Sequence, residues 1–299
     1  AAEKAFQHVV ILGDPHLPGK DIKAKEAVIR RINSWEDVDL VVAVGDICSR
    51  RGTPEEYAAA ASFFGKLDKP FCPIAGNHDC VYKDEPGPTG KQVRAKKAMV
   101  EKKRKRFREA FNLPDINYHR TAGPCLLVFL STDDPEQLAR ISERQMKWLN
   151  GILEQNRAMP TVVFFHAPLK GTLRNYSKSA NTPGFVAQPA AKIHDILEKN
   201  PQVFLWVSGH THTTPRERSF ASDVNLYAGR VTNIHNSAMT TTPIWTNSLF
   251  IYPDRVIVKT YDHGKKAWLP RLERVIPLPA IGNREPAAYQ GQQSHKSTD

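Results

Sequence analysis

The sequence predicts an α/β fold, a β-sheet framework with helices laid over it, and three observations carry that expectation. Short β-branched runs such as Leu40–Val44 and Val203–Ser208 alternate with longer amphipathic stretches, the pattern of βαβ units. Loops rich in Gly, Asp and His follow several of these runs directly. The 299 residues are 40% apolar and 24% charged, ordinary globular usage that excludes wholesale disorder and fibrous architectures and leaves room for a sizeable core.

Each element follows in order. Residues 8–12 read as a first strand, and residues 22–32 as a helix whose apolar side holds Ile22, Val28, Ile29 and Ile32. Residues 39–44 are the second strand. A helix begins after Thr53, because Thr-Pro-Glu-Glu supplies an N-cap, a proline suited to the first helical position and acidic groups for the positive end of the dipole. It is expected to end near Leu67. Residues 71–75 form a third strand and 125–131 a later one. Residues 142–154 form a helix with Ile141, Met146, Leu149 and Leu153 for its buried side. Buried strands at 161–165 and 203–208 flank a polar loop and a helix over 190–199. Beyond Ser208, short strands at 225–227, 231–234, 248–252 and 256–261 predict an antiparallel region that closes the domain. No repeat or linker divides the chain, so residues 1–276 are expected as a single domain with a basic helical insertion at about 81–112. Residues 277–299, rich in Pro, Gln and Ser, read as a tail.

The chain carries 42 Lys and Arg against 31 Asp and Glu, a formal charge of +11 with a pI near 9.5. Most of that excess is local. Residues 91–108, KQVRAKKAMVEKKRKRFR, hold ten basic residues against one Glu, a net +9. Val93, Val100, Phe107 and Phe111 place one apolar stripe along this segment, which predicts a surface helix with its charges in water. The competing reading sets its basic face at a catalytic mouth, where it concentrates anions. No apolar run approaches the ~18 residues that span a bilayer. The start at Ala1 fits either a mature form after leader removal or a trimmed chain, and the compartment stays open. Four cysteines without a CxxC pair exclude a disulfide scaffold, and Cys48 and Cys80 are expected as buried free thiols.

Five segments carry the chemistry. They are GDPH (Gly13 to His16), GD (Gly45, Asp46), GNHD (Gly76 to Asp79), His166 in FFHAP, and GHTH (Gly209 to His212), and each follows an apolar strand. The carboxyl ends of strands in α/β sheets line one edge, so these loops are expected to meet in one crevice. Asp14, His16, Asp46, Asn77, His166, His210 and His212 would bring imidazole, carboxylate and amide oxygen together there. Such mixed donors suit Mn, Fe or Zn better than Ca or Mg. Seven donors are too many for one ion and suit two transition metal ions, divalent or trivalent, sharing a carboxylate.

In this order the motifs resemble the calcineurin-like metallophosphoesterases. The resemblance covers residues 13–212 and implies a four-layer αββα sandwich of two mixed β-sheets flanked by helices, with a dinuclear metal centre. It implies that Asp14, His16 and His212 hold one ion, that Asn77, His166 and His210 hold the other, and that Asp46 bridges them. By the same resemblance His78 faces the scissile phosphate as leaving-group acid or charge stabiliser, and Asp79 orients its imidazole. The second motif reads GDICSRRG where the phosphoprotein-phosphatase branch has GDxxDRG. Arg50 matches the phosphate-binding arginine, whereas Ser49 and Arg51 depart from the pattern. That departure, together with the Ser142, Gln145, Trp148 and Leu149 spacing, is more similar to the bacterial cyclic-nucleotide and glycerophosphodiester phosphodiesterase branch.

The expected function is hydrolysis of an anionic phosphoester, diesters favoured, by hydroxide generated at the metals with His78 assisting the leaving group. Asn77 and Arg50 are candidate substrate contacts. A phosphomonoesterase, a nuclease that uses the basic helix, and a non-catalytic scaffold on the same fold are the alternatives, with nucleic acid the less favoured partner. Oligomeric state is left open. His8, His119, His194, His235, His263 and His295 lie outside the motifs and read as structural or solvated, with His235 the one placed to edge the pocket. The long loop after His166 offers Arg174, Tyr176 and Lys178 as further substrate contacts, and Asn175-Tyr176-Ser177 matches a glycosylation acceptor.

Overall fold

The computed structural model describes residues 4–174 and 179–281. Its first half runs β1 (Gln7–Leu12), α1 (Ile22–Asn33), β2 (Leu40–Val44), α2 (Pro54–Phe64), β3 (Phe71–Ile74), the single turn α3 (Asn77–Cys80) and α4 (Lys97–Phe111). It continues with β4 (Tyr118–Ala122), β5 (Cys125–Phe129), α5 (Glu143–Gln155), β6 (Thr161–Phe164), α6 (Ala190–Lys199) and β7 (Val203–Ser208). The last strands are β8 (Leu226–Tyr227), β9 (Val231–His235), β10 (Trp245–Ile251), β11 (Arg255–Asp262), β12 (Ala267–Trp268) and β13 (Arg274–Pro277).

Two sheets result. The first has the order β12-β11-β10-β1-β2-β3, with β13 also paired to β11, and the second β4-β5-β6-β7-β9-β8. The continuous apolar runs are explained by burial on both faces. In β1, Val9 and Ile11 point between the sheets while Val10 and Leu12 point under the helices. In β5, Leu127 and Phe129 face the sheet interface and Leu126 and Val128 the other side. Helices α1, α2 and α4 cover the first sheet through Val28, Ile29, Tyr57, Phe63 and Phe107. Leu149 and Leu153 of α5 and Ile193 and Leu197 of α6 cover the second, against Val163 and Trp206. These are the four layers of an αββα sandwich.

Local signals worked where capping chemistry was present. Thr53 is the expected N-cap and forms a capping box with Glu56, and Ser142 caps α5 by accepting from the Gln145 amide. The closing region is antiparallel as expected in β8–β9 and in β10, β11, β12 and β13, but it is divided between the two sheets and holds one parallel pairing. Strand β9 pairs parallel with β7, while β10 returns to the first sheet and pairs antiparallel with β1. β4 was not foreseen, because His119, Arg120 and Thr121 are exposed on an edge strand and leave no apolar alternation to read.

The basic segment also needs correction. Its helix begins at Lys97, so Val93 lies before it and only Val100, Phe107 and the half-buried Phe111 carry the stripe. Its charges are not all in water. Lys103 is fully buried, paired with Asp84 and donating to the carbonyls of Arg51 and Gly52, and Arg106 pairs with Asp84 at 2.8 Å. All four cysteines are free and buried. No described helix is long and apolar enough to cross a membrane. Asn175 to Lys178 and residues 282–299, including His295, lie outside the described residues, so the glycosylation match and the Tyr176 and Lys178 contacts do too.

Candidate metal centre

The loops that follow β1, β2, β3, β6 and β7 converge, and all seven predicted donors meet there. Asp14, His16, Asp46 and His212 place one donor atom each within 4.8 Å of one another. Asp46, His166 and His210 do the same, and Asn77 joins them with its Oδ1 3.1 Å from His166 Nε2. The two groups share Asp46. Its Oδ1 lies 3.3 Å from His166 Nε2, and its Oδ2 4.0 Å from His16 Nε2. On the far side His212 Nε2 is 3.4 Å from Asp14 Oδ1 and 3.3 Å from His16 Nε2.

Backbone geometry aims these groups. Asp14, His16, Asp46, His210 and His212 all take positive φ, between 40° and 64°, a conformation that costs non-glycine residues energy and collects at functional sites. The amide of His210 donates to both oxygens of Asp14 at 2.9 and 3.1 Å, and the amide of His78 to Asp46 Oδ1 at 2.9 Å, so each carboxylate is fixed by the loop it faces. Gly45 is required twice over. Its φ is +94°, and a Cβ there would sit 2.4 Å from His166 Nδ1. At Gly209 the φ is ordinary, but a Cβ would fall 2.2 Å from Asp14 Oδ2.

The donor set fits metal ions. His166 Nδ1 donates to the Val44 carbonyl at 2.8 Å, which turns Nε2 toward Asp46 Oδ1 and Asn77 Oδ1. In the neutral imidazole these three atoms are all lone-pair donors, and they converge on one point. Either a proton or a cation must lie among them. Burial works against the proton, yet the Asp46 and Asp14 carboxylates outweigh it and push His166 up to about 9. A dication held there would take that proton's place. His210 is prepared in the same way: its Nε2 donates to the Gly184 carbonyl at 2.9 Å, and burial with His166 nearby lowers it to about 4, leaving a neutral ring with Nδ1 free. Hydrogen bonding from behind to a carbonyl is the usual way a ligating histidine is oriented.

His78 stands beside this centre with Nε2 3.8 Å from Asp46 Oδ2. Its orientation differs from expectation. The Asp79 carboxylate does not hold the His78 ring; it accepts from the backbone amides of Ile47 (3.1 Å), Cys48 (2.7 Å) and Gly76 (2.7 Å). Asp79 is therefore the post that fixes the Asp46 loop against the Asn77 turn, and Tyr57 holds its carbonyl at 2.8 Å. The His78 Nδ1 donates to the Arg50 carbonyl at 2.9 Å instead. Arg50 is pinned through its amide to Glu56 Oε1 at 2.8 Å, and its side chain is exposed.

Sequence reasoning missed three supports. Glu56 accepts from Ser49 Oγ and from the Arg50, Arg51 and Thr53 amides, so the residue that closes the capping box also shapes the second motif loop. Lys25 donates to the Pro15 and His16 carbonyls behind the first loop. Phe185 lies 5.5 Å from the His210 ring, on the loop whose Gly184 holds that ring. Only Glu56 left a signal, the Thr-Pro-Glu-Glu pattern. Of the other histidines, His235 does not edge the crevice. It is buried, bonded to the Thr172 carbonyl at 3.0 Å, and lowered to about 3 by burial. His8 bonds Ser248 and His263 bonds Thr246, both structural contacts. Arg174 pairs with Asp223 at 3.1 Å.

Comparison with known proteins agrees with this geometry. A 3',5'-cyclic-nucleotide phosphodiesterase of Nostoc sp. is 24% identical over 251 residues, 83% of this chain and 82% of that protein. Among solved structures, a dimetal phosphatase from Danio rerio aligns with 92% of this chain and 100% of its own at a TM-score of 0.60 and 12% identity. A purple acid phosphatase from yellow lupin (Lupinus luteus) seeds aligns with 92% of this chain and 54% of its own at 0.56 and 14%. The anchor in the inner membrane complex of Plasmodium does so with 94% and 91% at 0.54 and 14%. At such identities the structures share the fold alone. The family model for the calcineurin-like phosphoesterases matches residues 7–214, which include every motif above. With that match and an intact His/Asp metal-binding cluster, the chain belongs to the calcineurin-like phosphoesterase family.

Proposed function

We propose that this protein is a two-metal phosphodiesterase that takes Mn, Fe or Zn. One observation carries the reading: two groups of neutral and anionic donors, aimed by carbonyls and amides behind them, share Asp46 and open toward His78. When bound, the two ions would neutralise phosphoryl oxygens and acidify the attacking water. Asp14, His16, Asp46 and His212 would hold one, and Asp46, Asn77, His166 and His210 the other.

The chain's own groups do the rest. The proton on His78 Nδ1 lies on the Arg50 carbonyl, so Nε2 is the end presented to the crevice. Protonated there, it gives its proton to the leaving oxygen as the P–O bond breaks. Asn77 doubles as a substrate contact, and the exposed guanidinium of Arg50 is the candidate for a phosphate oxygen at the mouth. A diester rather than a monoester is supported by the Nostoc relative and by Ser49 and Arg51, which set the second motif apart from the phosphoprotein-phosphatase pattern. The nuclease reading is weakened, since Lys103, Arg104 and Arg106 are paired with acidic groups of the fold.

A substrate panel on protein reconstituted with Mn, Fe or Zn tests this. Aryl and cyclic-nucleotide diesters should turn over faster than an aryl monoester. A preference for the monoester, or no turnover of any ester with both sites filled, overturns it.

A further inference from the structure

We infer that Gln92, carried on an arm formed by the first segment of the basic insertion, is the positioning residue that sets the His78 imidazole for leaving-group protonation. The inference rests on the phosphodiesterase reading for its activity arm and on geometry alone for its spectroscopic arm.

The need for such a residue follows from Asp79. That carboxylate is occupied by three backbone amides, and among the described residues no side-chain carboxylate holds Nδ1 of the imidazole next to it in sequence. What it has is the Arg50 carbonyl. A single carbonyl on an exposed loop fixes a ring weakly, because the peptide plane swings and carries the acceptor with it. Two groups prevent that swing. Glu56 holds the amides of Arg50 and Arg51 at 2.8 and 2.9 Å. Gln92 holds the oxygen: its Nε2 donates to the Arg50 carbonyl and lies 3.2 Å from His78 Nδ1, so two donors converge on one oxygen. A carbonyl has two lone pairs, and here both are filled.

The arm is built to deliver this amide. The chain leaves α3 at Val81 and returns through Val93 and Ala95. Lys83 donates to the Val93 carbonyl at 2.8 Å, Ala95 to the Val81 carbonyl at 2.7 Å, and Tyr82 and Arg94 pair between them. The Arg94 guanidinium ties the returning strand to the Glu136 carbonyl. Tyr82, buried at the base of the arm, sets its ring edge-on to His78 at 5.5 Å. Gln92 is thus registered to His78 by backbone bonds that begin three residues after it. The insertion therefore acts on the crevice through its first segment, while the helix behind it holds the Arg51 and Gly52 carbonyls through Lys103.

The step being positioned balances as follows. Water adds its oxygen to phosphorus, the P–O bond to the leaving alcohol breaks, and the His78 Nε2 proton moves to that alcohol oxygen. The proton released by water returns to His78 through solvent.

The test compares wild type, Gln92→Met, His78→Ala and the double variant, all metal-loaded, on two diesters. One is bis(4-nitrophenyl) phosphate, whose leaving group needs little protonation. The other is a 3',5'-cyclic nucleotide, whose ribose alkoxide needs it. General acids supply about 10²–10⁴-fold, and Gln92→Met should forfeit about tenfold of kcat on the cyclic nucleotide with KM unchanged, little on the aryl diester, and nothing further in the His78→Ala background. In the zinc-loaded, ¹⁵N-histidine protein, the hydrogen-bonded Nδ1 proton of His78 should be seen in wild type and lost to exchange in Gln92→Met. Equal kcat losses on both diesters, or a ring signal unchanged by the substitution, overturn the inference. If wild type turns over neither diester, the phosphodiesterase reading falls, and the ring signal alone decides Gln92: loss upholds the contact and persistence refutes it. Gln92→Ala, also at an exposed position, repeats the comparison in a second side chain.

Discussion

The two sheets contribute unlike chemistry to one crevice. Loops of the first supply both carboxylates and the amide, Asp14, Asp46 and Asn77, with His16 the single imidazole among its metal donors and His78 beside them. Loops of the second supply imidazoles only, His166, His210 and His212. Neither sheet carries a complete site, and each donor group draws on both: His212 reaches Asp14 and His16, while His166 reaches Asp46 and Asn77 and His210 lies with Asp46. The difference teaches where the binding energy is stored. The interface between the sheets is apolar and needs no metal, as Val9, Ile11, Phe129 and Phe164 are all fully buried in it. The crevice at its edge instead gathers charge and left-handed backbone.

That asymmetry can be broken at its centre. Asp46 is the one donor both groups use, so Asp46→Asn should cost at least about 10²–10³-fold in turnover, the loss that follows removal of one preorganised electrostatic group. The fold should survive, as circular dichroism will report. His210→Ala and His212→Ala sharpen the comparison instead, since each removes an imidazole used on one side only. Metal analysis should find bound metal falling from two ions per chain to about one in either variant.

A smaller effect comes from packing. Gly209→Ala puts a methyl against Asp14 Oδ2 without a backbone penalty, so metal affinity should fall by about 10–100-fold, the scale of a disturbed supporting group, with little change in unfolding midpoint of the metal-free protein. The smallest effect lies away from the crevice. Burial holds His235 near 3 and His263 near 4, below the ordinary 6.5. The unfolded chain therefore takes up these protons first. The contribution of these two residues to stability is full above about pH 6.5 and declines as pH falls toward 4. His235→Gln keeps a donor for the Thr172 carbonyl and should flatten that acid limb in thermal melts of metal-free protein, while leaving the midpoint at pH 8 nearly unchanged.

Much of this was written in the sequence where one residue answers to one local rule. Strands buried on both faces read as apolar runs, Thr53 announced its helix, and glycines marked the strand ends that present six of the seven donors, His166 in FFHAP excepted. What escaped depended on contacts distant in sequence. Edge strand β4 offered no alternation, and the parallel pairing of β9 with β7 was invisible behind strands that looked like hairpins. Asp79 followed the motif but serves the backbone of Ile47 and Cys48, 31 to 32 residues away. The basic segment misled most, because charge alone does not reveal that Lys103 is buried against Asp84 or that Gln92 reaches Arg50 across 42 residues of chain.

The central claim is that both sheets together hold two ions joined through Asp46. Electron paramagnetic resonance during Mn(II) titration of the metal-free protein tests it most directly. The account predicts two bound ions per chain and a spin-coupled spectrum that collapses to the isolated-ion pattern in Asp46→Asn. A single bound ion in wild type, or two ions giving only the uncoupled six-line spectrum, would contradict it.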